Sequence, residues 1–250
     1  MTATIPSRAP KRAMVLAAGL GLRMRPITLT TPKPLIPVGG QPMLDHALDR
    51  LADSGVDLAV VNTHWLGDAI ATHLQGRRRG PRTLISHEPD LLETAGGIVQ
   101  ALPHLGDDPF YVVNSDIIWL DGPVPALTRM ARLWDPDRMD VLLLLMPTVW
   151  AVGYDGTGDY HLDPLGRCRY RKPHELAPFI AAGVSIAKPE LYQGLAPGKR
   201  GNLEIWKRAE ADGRLFGVRH DGAWYHVGTP DAIPEVDAQL RAPAVRWVEP

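Results

Sequence analysis

The sequence has very little cysteine and no long apolar run. Cys168 is the only cysteine in the 250 residues, so an intramolecular disulfide is excluded. No apolar run approaches the ~18 residues of a membrane-spanning helix, and the run at 141–146 has the length of a buried strand. We therefore expect a cytoplasmic protein that has no membrane partner.

The chain also lacks a strong excess of charge of either sign. It has 27 Lys and Arg against 28 Asp and Glu, which gives a formal net charge of −1 at pH 7. This balance predicts no binding to nucleic acid, so any anion site must be local. The first eleven residues contain no apolar segment typical of a signal peptide, and we expect residues 1–11 to be a disordered lead. No protein partner is predicted.

Strand and helix patterns alternate in the first part of the chain. This alternation predicts an α/β fold with a Rossmann-like, doubly wound sheet that is mostly parallel but mixed, with helices on both faces. Ligands of such sheets bind at the carboxyl ends of the strands. The predicted strands are 14–16, 58–61, 83–86, 110–113 and 141–146, and the predicted helices are 42–54, 65–74, 94–105 and 124–133.

The pattern is less regular after residue 147. Short segments separated by Gly, Asp and Pro, at 160–162, 167–170 and 178–180, predict hairpins rather than further crossover units. The length of 250 residues fits one large domain better than two independent ones. Later predicted strands are 184–187, 215–218 and 223–227, and later predicted helices are 202–211 and 230–240.

Residues 15–41, which read VLAAGLGLRMRPITLTTPKPLIPVGGQ, are the most informative stretch. They begin as a buried strand and continue as a loop in which Gly19 and Gly21 leave backbone N–H groups bare. Arg23 and Lys33 add cations, and several prolines fix the path of the backbone. The stretch predicts an ordered but irregular loop that binds phosphates.

Two familiar phosphate loops are excluded, because Met24 stands where a dinucleotide fingerprint needs glycine and no Gly-Lys-Ser/Thr follows. The residues alone leave a proline-rich surface connection as the alternative. However, residues 16–41 closely resemble the signature of sugar-1-phosphate nucleotidylyltransferases, which join a nucleoside triphosphate to a sugar 1-phosphate and release pyrophosphate. The resemblance spans roughly residues 12–240 and implies a nucleotide-diphosphosugar transferase fold. It implies one domain, 12–250, with a nucleotide-binding part, 12–147, and a β-rich sugar-binding part, 148–250.

Asp116 directly follows the predicted strand 110–113. A carboxylate at this end of a strand suits Mg²⁺, although an Asp here could instead form a turn. The resemblance implies that Asp116 binds the metal, because the family has a metal-binding Asp after the equivalent strand. With this resemblance, we expect Arg23 to hold the β- and γ-phosphates and Lys33 to stabilise charge around the α-phosphate. The predicted catalytic residues are therefore Arg23, Lys33 and Asp116.

His226 departs from the family pattern. The family has a second metal-binding Asp in a Trp-x-Asp-Val-Gly-Thr segment, whereas this chain reads Trp-Tyr-His-Val-Gly-Thr at 224–229. Imidazole is a poorer ligand than carboxylate for Mg²⁺, so His226 could bind Mn²⁺, could hydrogen-bond a phosphate or could be structural. Mg²⁺, with Mn²⁺ as the alternative, is the predicted cofactor, and Asp116 and His226 are the predicted metal ligands.

The segment 88–97, EPDLLETAGG, is similar to the run that reads the base in related transferases. Its glycines open a helix and would let a flat base lie against bare backbone. Glu88 could accept the N3–H of uracil or two donors of guanine, so the base stays open from the residues. The predicted nucleotide-binding residues are Ala17, Ala18, Gly19, Gly21, Glu88, Thr94, Gly96 and Asn114.

Several short runs indicate which sugar 1-phosphate the most similar members of the family use. The runs at 62–66, 92–94, 158–160 and 182–185 look most similar to bacterial members that join UTP to N-acetylmuramate 1-phosphate in peptidoglycan recycling. UTP and this sugar 1-phosphate are the expected substrates. The alternatives are a mannose or glucose 1-phosphate transferase using GTP or UTP, and a nucleotide sensor with weakened catalysis. The predicted sugar-phosphate residues are Asp159, Lys172, which lies in the family's Lys-Pro pair, Gly183 and Asn202.

Overall fold

The computed structural model describes residues 9–241, and β-strands form its centre. The strands are β1 (Arg12–Leu16), β2 (Pro37–Val38), β3 (Gln41–Pro42), β4 (Leu58–Thr63), β5 (Arg82–His87), β6 (Phe110–Asn114), β7 (Ile117–Trp119), β8 (Val141–Pro147), β9 (Tyr160–Leu162), β10 (Cys168–Tyr170), β11 (Phe179–Ala187), β12 (Leu215–Arg219) and β13 (Trp224–His226). The helices are α1 (Met43–Asp53), α2 (Gly67–Gly76), α3 (Glu93–Leu105), α4 (Ala126–Leu133), α5 (Asn202–Ala211) and α6 (Ala232–Arg241).

Within residues 9–241, nine strands form the main sheet. Its long axis runs in the order β5-β4-β1-β6-β11-β8-β12, and the β9-β10 hairpin joins the first residue of β11. The pairs β1-β4, β1-β6, β4-β5 and β8-β12 are parallel, whereas β11 runs antiparallel to both β6 and β8. The predicted mixed, mostly parallel sheet is confirmed. Because β11 lies between two strands of the first part, residues 12–147 and the later part share one sheet.

Helices cover both faces of the sheet, as expected because its strands have apolar residues on both sides. In β1, Ala13 and Val15 point to the core that α1 and α4 cover, while Met14 points to the opposite core with α3 and α5. All residues of β4 and of β8 are buried. Burying both faces explains why these strands are nearly continuous apolar runs. The doubly wound arrangement is therefore confirmed.

The phosphate loop contains more regular structure than the sequence predicted. It has no α-helix, as expected, but three short 3₁₀ turns lie at Leu22–Met24, Ile27–Leu29 and Lys33–Leu35. Strands β2, β3 and β7 were not predicted, since two or three residues are too few to show a period. β7 pairs with β13 in a separate two-stranded sheet.

The later part also differs in detail. The predicted segments 178–180 and 184–187 form one strand, β11, with a register shift between Ala181 and Ser185. Residues 1–8 of the predicted disordered lead, 1–11, lie outside the described residues, and Ala9 and Pro10 in its remaining part are buried. Residues 242–250 of the predicted sugar-binding part are also outside them. In the part of the chain that the model describes, none of the helices combines the length and apolar character needed to cross a membrane.

Candidate active site

A cavity of about 360 Å³ lies at the carboxyl ends of β1, β4 and β6. This is the edge at which ligands bind in open α/β sheets. The predicted site residues in its wall are Ala17, Ala18, Gly19, Lys33, Glu88, Thr94, Asn114 and Asp116. The sequence prediction missed the other wall residues, which are Leu16, Pro34, Asn62, Leu91, Glu93 and Ser115.

The turns of the phosphate loop are fixed by contacts to its own backbone and to Trp65. Gly21 has φ +60°, and the hydroxyl of Thr28 donates to its carbonyl at 2.8 Å. The indole N–H of Trp65 in turn donates to the carbonyl of Thr28 at 2.9 Å. A Cβ atom at Gly21 would lie 2.8 Å from Thr28 Cγ2 and 3.1 Å from Lys33 Cβ. Gly21 therefore shapes the loop that carries Lys33 and does not line the cavity wall.

Lys33 and Asp116 form an ion pair at the cavity. Lys33 Nζ donates to Asp116 Oδ2 at 2.7 Å, and both residues line the wall. Burial by itself would raise the pKa of Asp116, but the charge and hydrogen bond of Lys33 and the charge of His226 outweigh burial and lower it. Asp116 is therefore a carboxylate at neutral pH, and Lys33 supplies the adjacent positive charge.

His226 lies beside this pair because β13 pairs with β7, and Ile117 is its register partner. Burial lowers the pKa of His226, Asp116 opposes this effect, and the charges of Lys33 and Arg23 add to the lowering. Arg23 is also close to Gly228, where a Cβ atom would lie 3.5 Å from the guanidinium. The fold thus brings Arg23, Lys33, Asp116 and His226 together from distant parts of the chain.

This arrangement fits a metal only if the substrate helps to hold it. Within residues 9–241, no group of three or more His, Cys, Asp or Glu side chains is placed to bind a metal ion. Asp116 offers an ionised carboxylate and His226 a neutral ring nitrogen. Mg²⁺ sites commonly use one or two protein ligands together with substrate phosphates and water. The two residues therefore suit a metal that binds together with a nucleotide.

Glu88 is fully buried and forms part of the cavity wall. Its carboxylate accepts from Asn62 Nδ2 at 2.7 Å and from the backbone N–H of Leu92 at 3.0 Å. Asn62 Oδ1 accepts from the backbone N–H of Ala17 at 2.7 Å, so the three segments at the strand ends are linked. Asn62 was missed by the site prediction, although a buried amide near the end of a strand was the available signal. The nucleotide-binding role of Glu88 stays a prediction.

The first turn of α3 is covered by a loop of the later part. The carbonyl of Arg200 accepts from the N–H groups of Ala95 and Gly96 at 2.9 and 3.0 Å. A Cβ atom at Gly96 would lie 2.3 Å from the carbonyl oxygen of Gly198. Gly96 thus permits a close backbone approach of this loop, which differs from the open platform for a base that the sequence suggested. Thr94 lines the cavity, and its hydroxyl accepts from the N–H of Asn202 at 2.7 Å.

The predicted sugar-phosphate residues are not part of the cavity wall. Asn202 is buried, and its side-chain oxygen accepts from the Tyr192 hydroxyl at 3.3 Å. Lys172 is exposed on the loop after β10. Gly183, with φ +76°, sits at the irregularity of β11, where a Cβ atom would lie 3.2 Å from Asn114 Cβ. Asp159 accepts from the N–H of Ala181 at 3.3 Å, near the same irregularity.

Sequence comparison identifies relatives over nearly the full chain. Residues 12–153 match the family model described as nucleotidyl transferase. The chain is 45% identical over 238 residues to N-acetylmuramate alpha-1-phosphate uridylyltransferase of Caulobacter vibrioides, which covers 94% of this chain and 98% of that protein. It is 37% identical over 230 residues to the enzyme of the same name from Neisseria meningitidis serogroup B, covering 91% of this chain and 97% of that one. Mannose-1-phosphate guanylyltransferase catalytic subunit beta of Xenopus tropicalis is 28% identical over 226 residues, covering 88% of this chain but 61% of that protein.

Solved structures with the same fold include UDP-glucose pyrophosphorylase complexed with UDP-glucose. That structure matches with a TM-score of 0.77 at 15% identity, covering 92% of this chain and 97% of that one. HddC from Yersinia pseudotuberculosis complexed with GMP-PN matches with a TM-score of 0.70 at 17% identity, covering 92% and 99%. The resemblance seen in residues 16–41 is confirmed, and the chain belongs to the nucleotidyl transferase family.

Proposed function

We propose that this chain joins UTP to N-acetylmuramate 1-phosphate and forms UDP-N-acetylmuramate and pyrophosphate. The observation that carries this proposal is the identity of 45% and 37%, over almost the whole length, to two enzymes named for that reaction. The cavity at the strand ends, with the Lys33–Asp116 ion pair in its wall, supports a transfer between phosphates. A cytoplasmic location is part of the proposal, because both expected substrates are intracellular metabolites.

In the proposed reaction, a phosphate oxygen of the sugar 1-phosphate attacks the α-phosphorus of UTP. A new P–O bond forms there as the bond to the β-phosphate oxygen breaks, and pyrophosphate leaves. The attacking phosphate is already ionised near neutral pH, so no side chain has to remove a proton. The work of the protein is therefore to align the two anions and to stabilise their negative charge.

Arg23 and Lys33 are the cations available for this task. Lys33 is mostly buried, with 11% of its side chain exposed, so its charge is poorly screened by water. In the proposal, Lys33 stabilises the charge that develops around the α-phosphate, and Arg23 binds the β- and γ-phosphates. The influence of both cations on the pKa of His226 supports a common location.

A divalent metal also belongs to the proposal, with Mg²⁺ first and Mn²⁺ as the alternative. Asp116 and His226 would hold it, and it would neutralise part of the triphosphate charge when bound. The lowered pKa of each group keeps Asp116 ionised and His226 neutral, which are the forms that bind metals. The ion pair between Lys33 and Asp116 gives Asp116 a counter-charge without metal.

The second candidate function is the transfer of a guanylyl group from GTP to mannose 1-phosphate, as the name of the guanylyltransferase relatives indicates. This function is less well supported, because the Xenopus relative is only 28% identical and the chain spans 61% of its length. A nucleotide sensor is the remaining alternative from the sequence, because His226 replaces the second carboxylate.

The decisive experiment measures pyrophosphate release with UTP and GTP against four sugar 1-phosphates, those of N-acetylmuramate, N-acetylglucosamine, mannose and glucose. We expect UTP with N-acetylmuramate 1-phosphate to give the highest kcat/KM. Faster turnover of GTP with mannose 1-phosphate would replace the proposal with the second function. Binding of UTP in a calorimeter without pyrophosphate release, in Mg²⁺ or Mn²⁺, would favour the sensor.

A further inference from the structure

Arg171 is a cation in the predicted sugar-binding part, 148–250, and it has no role in the proposed transfer reaction. Its guanidinium is always charged and carries five N–H donors. Its Nε is buried and has no hydrogen-bond partner within residues 9–241. Among the ion pairs of that range, none involves Arg171, whereas Arg169 on the same strand end pairs with Glu175. Arg171 as a whole is half-buried, so a ligand can reach its guanidinium, and a ligand that accepts from the unpartnered donor would gain affinity.

The groups around Arg171 are already hydrogen-bonded to backbone. The N–H of Arg171 donates to the carbonyl of Asp159 at 2.8 Å, and the Asp159 carboxylate accepts from the N–H of Ala181. The hydroxyl of Tyr154 accepts from the N–H of Gly158 at 2.9 Å. The charge of Arg171 lowers the pKa of both Asp159 and Tyr154 against the larger raising effect of burial. Arg171 therefore lies near both groups, while its Nε remains unsatisfied.

The position of Arg171 relates it to the transfer site. β11 runs antiparallel to β6, with Val184 opposite Val113, so residues 179–182 extend past the carboxyl end of β6, the edge at which Asp116 lies. Asp159 is bound to Ala181 in this extension. Tyr154 follows Gly153, whose Cβ position would lie 2.5 Å from the carbonyl oxygen of His226. Arg171 therefore lies at the same edge of the sheet as the cluster of Arg23, Lys33, Asp116 and His226. It approaches this edge from the later part of the chain.

The proposed sugar substrate carries two separate anions. Its phosphate has to reach the α-phosphate of UTP, near Lys33 and Arg23. Its second anion is the carboxylate of the lactyl ether at C3, two ring carbons away from C1. A guanidinium matches a carboxylate in two parallel hydrogen bonds, so it recognises this group better than an ammonium ion does.

The structure assigns Arg171 as the residue that binds the lactyl carboxylate of N-acetylmuramate 1-phosphate and thereby favours this sugar over sugars without that group. The assignment rests on the proposed function. It differs from the predicted role of the neighbouring Lys172, which concerns the phosphate common to all sugar 1-phosphates.

The test compares two substrates that differ only in the lactyl group, N-acetylmuramate 1-phosphate and N-acetylglucosamine 1-phosphate, with UTP in both cases. In Arg171→Gln we expect KM for the first substrate to rise about 10- to 100-fold, the effect of losing a charged hydrogen bond. The KM for the second should change by less than about threefold. Arg171→Lys should give an intermediate loss, because it keeps the charge but not the paired geometry.

Lys172→Gln is the matched control, since it removes a neighbouring charge that is predicted to contact the shared phosphate. It should affect both substrates to the same degree and leave their kcat/KM ratio unchanged. A thermal melt of each variant separates loss of folding from loss of recognition. Equal losses for both substrates in folded Arg171→Gln would overturn the assignment and indicate phosphate binding. If the wild type turned over neither substrate, that result would contradict the proposed function itself and not only the assignment of Arg171.

Discussion

At the scale of single residues, His226 is the position at which the sequence departs from the expected metal-binding pattern. The resemblance predicts a second carboxylate at this position, and His226 lies beside Asp116 through the pairing of β13 with β7. Burial keeps its pKa low, and nearby Arg23 and Lys33 act in the same direction. The ring is therefore neutral and adds no negative charge to a metal site. In the proposed metal site, electrostatic attraction for Mg²⁺ would then depend on Asp116 and on the phosphates of the nucleotide.

We predict that His226→Asp lowers the Mg²⁺ concentration needed for half-maximal rate by about tenfold, because an oxygen ligand and a charge are added. The advantage of Mn²⁺ over Mg²⁺ should shrink as well. His226→Asn is the matched control, since it adds the oxygen without the charge. Steady-state rates titrated with each metal check the prediction. An unchanged Mg²⁺ dependence in both variants would mean that His226 does not contact the metal.

The sequence indicated the charged residues of the site better than the residues that hold them. Lys33 and Asp116 follow recognisable motifs, and the structure pairs them at 2.7 Å. The support given by Asn62 to Ala17 and Glu88 depends on contacts over 45 and 26 positions in sequence, which no local pattern records. The unpartnered Nε of Arg171 is likewise visible only once burial is known. Motif spacing in the sequence therefore indicates the charged residues of the site, whereas the residues that position them, and their burial, can be seen only in the folded structure.

At the scale of elements, Gly19 and Gly21 of the phosphate loop have different tasks. A Cβ atom at Gly19 would meet no atom within 4 Å, so the space beside this cavity residue is open. Gly21 instead has φ +60° and is crowded by Thr28 and Lys33. The first glycine leaves room for a ligand, and the second permits the turn.

We predict that Gly19→Ala keeps the free energy of unfolding within about 0.5 kcal/mol of the wild type. The same change should weaken UTP binding about tenfold or more, because the methyl group takes space that phosphates need. Gly21→Ala, the matched control, should lose about 1–2 kcal/mol through its left-handed backbone and the contact with Thr28. Urea unfolding and calorimetric titration with UTP measure the two effects. Loss of stability in Gly19→Ala with normal UTP affinity would contradict this division of roles.

Elements with a clear period were predicted well, and short or irregular ones were not. The apolar runs of β4 and β8 and the amphipathic α1 gave strong signals. β7 has three residues, so its pairing with β13 depends on tertiary contacts. β11 was predicted as two pieces because Gly183, with its positive φ, interrupts the pattern while the strand continues.

At the scale of the whole molecule, one sheet carries the expected sites for both UTP and the sugar 1-phosphate. Alternation of strands and helices predicted the parallel half of the sheet. It could not predict that antiparallel β11 lies between β6 and β8, because the order of strands is set by long-range packing. This insertion places Asp159 and Arg171 beyond the end of β6. The predicted sugar-binding part is therefore attached to the same sheet as the phosphate loop.

His220 is the buried residue whose lowered pKa is expected to make the stability of the fold depend on pH. It is fully buried after β12, where its N–H donates to Leu145, and its Nε2 lies 3.1 Å from the carbonyl oxygens of Leu120 and Ala223. Burial lowers the pKa of His220, and its hydrogen bonds and nearby acids only partly oppose this effect. The unfolded chain, with an ordinary histidine pKa of about 6.5, binds a proton that the folded chain resists.

Stability should therefore be complete above about pH 7 and should fall as the pH drops below about 6.5, by at most about 1.4 kcal/mol per pH unit for this group. We predict that His220→Gln, whatever its stability at pH 7.5, shows a shallower decline of the free energy of unfolding between about pH 7 and 5.5, measured by urea unfolding at each pH. Ile186→Val is the control, because it loses about 1 kcal/mol from the buried core without changing a titratable group, so its pH dependence should parallel the wild type. A decline in His220→Gln as steep as in the wild type would assign the pH dependence to other groups, of which His226, also with a lowered pKa, is the first to test.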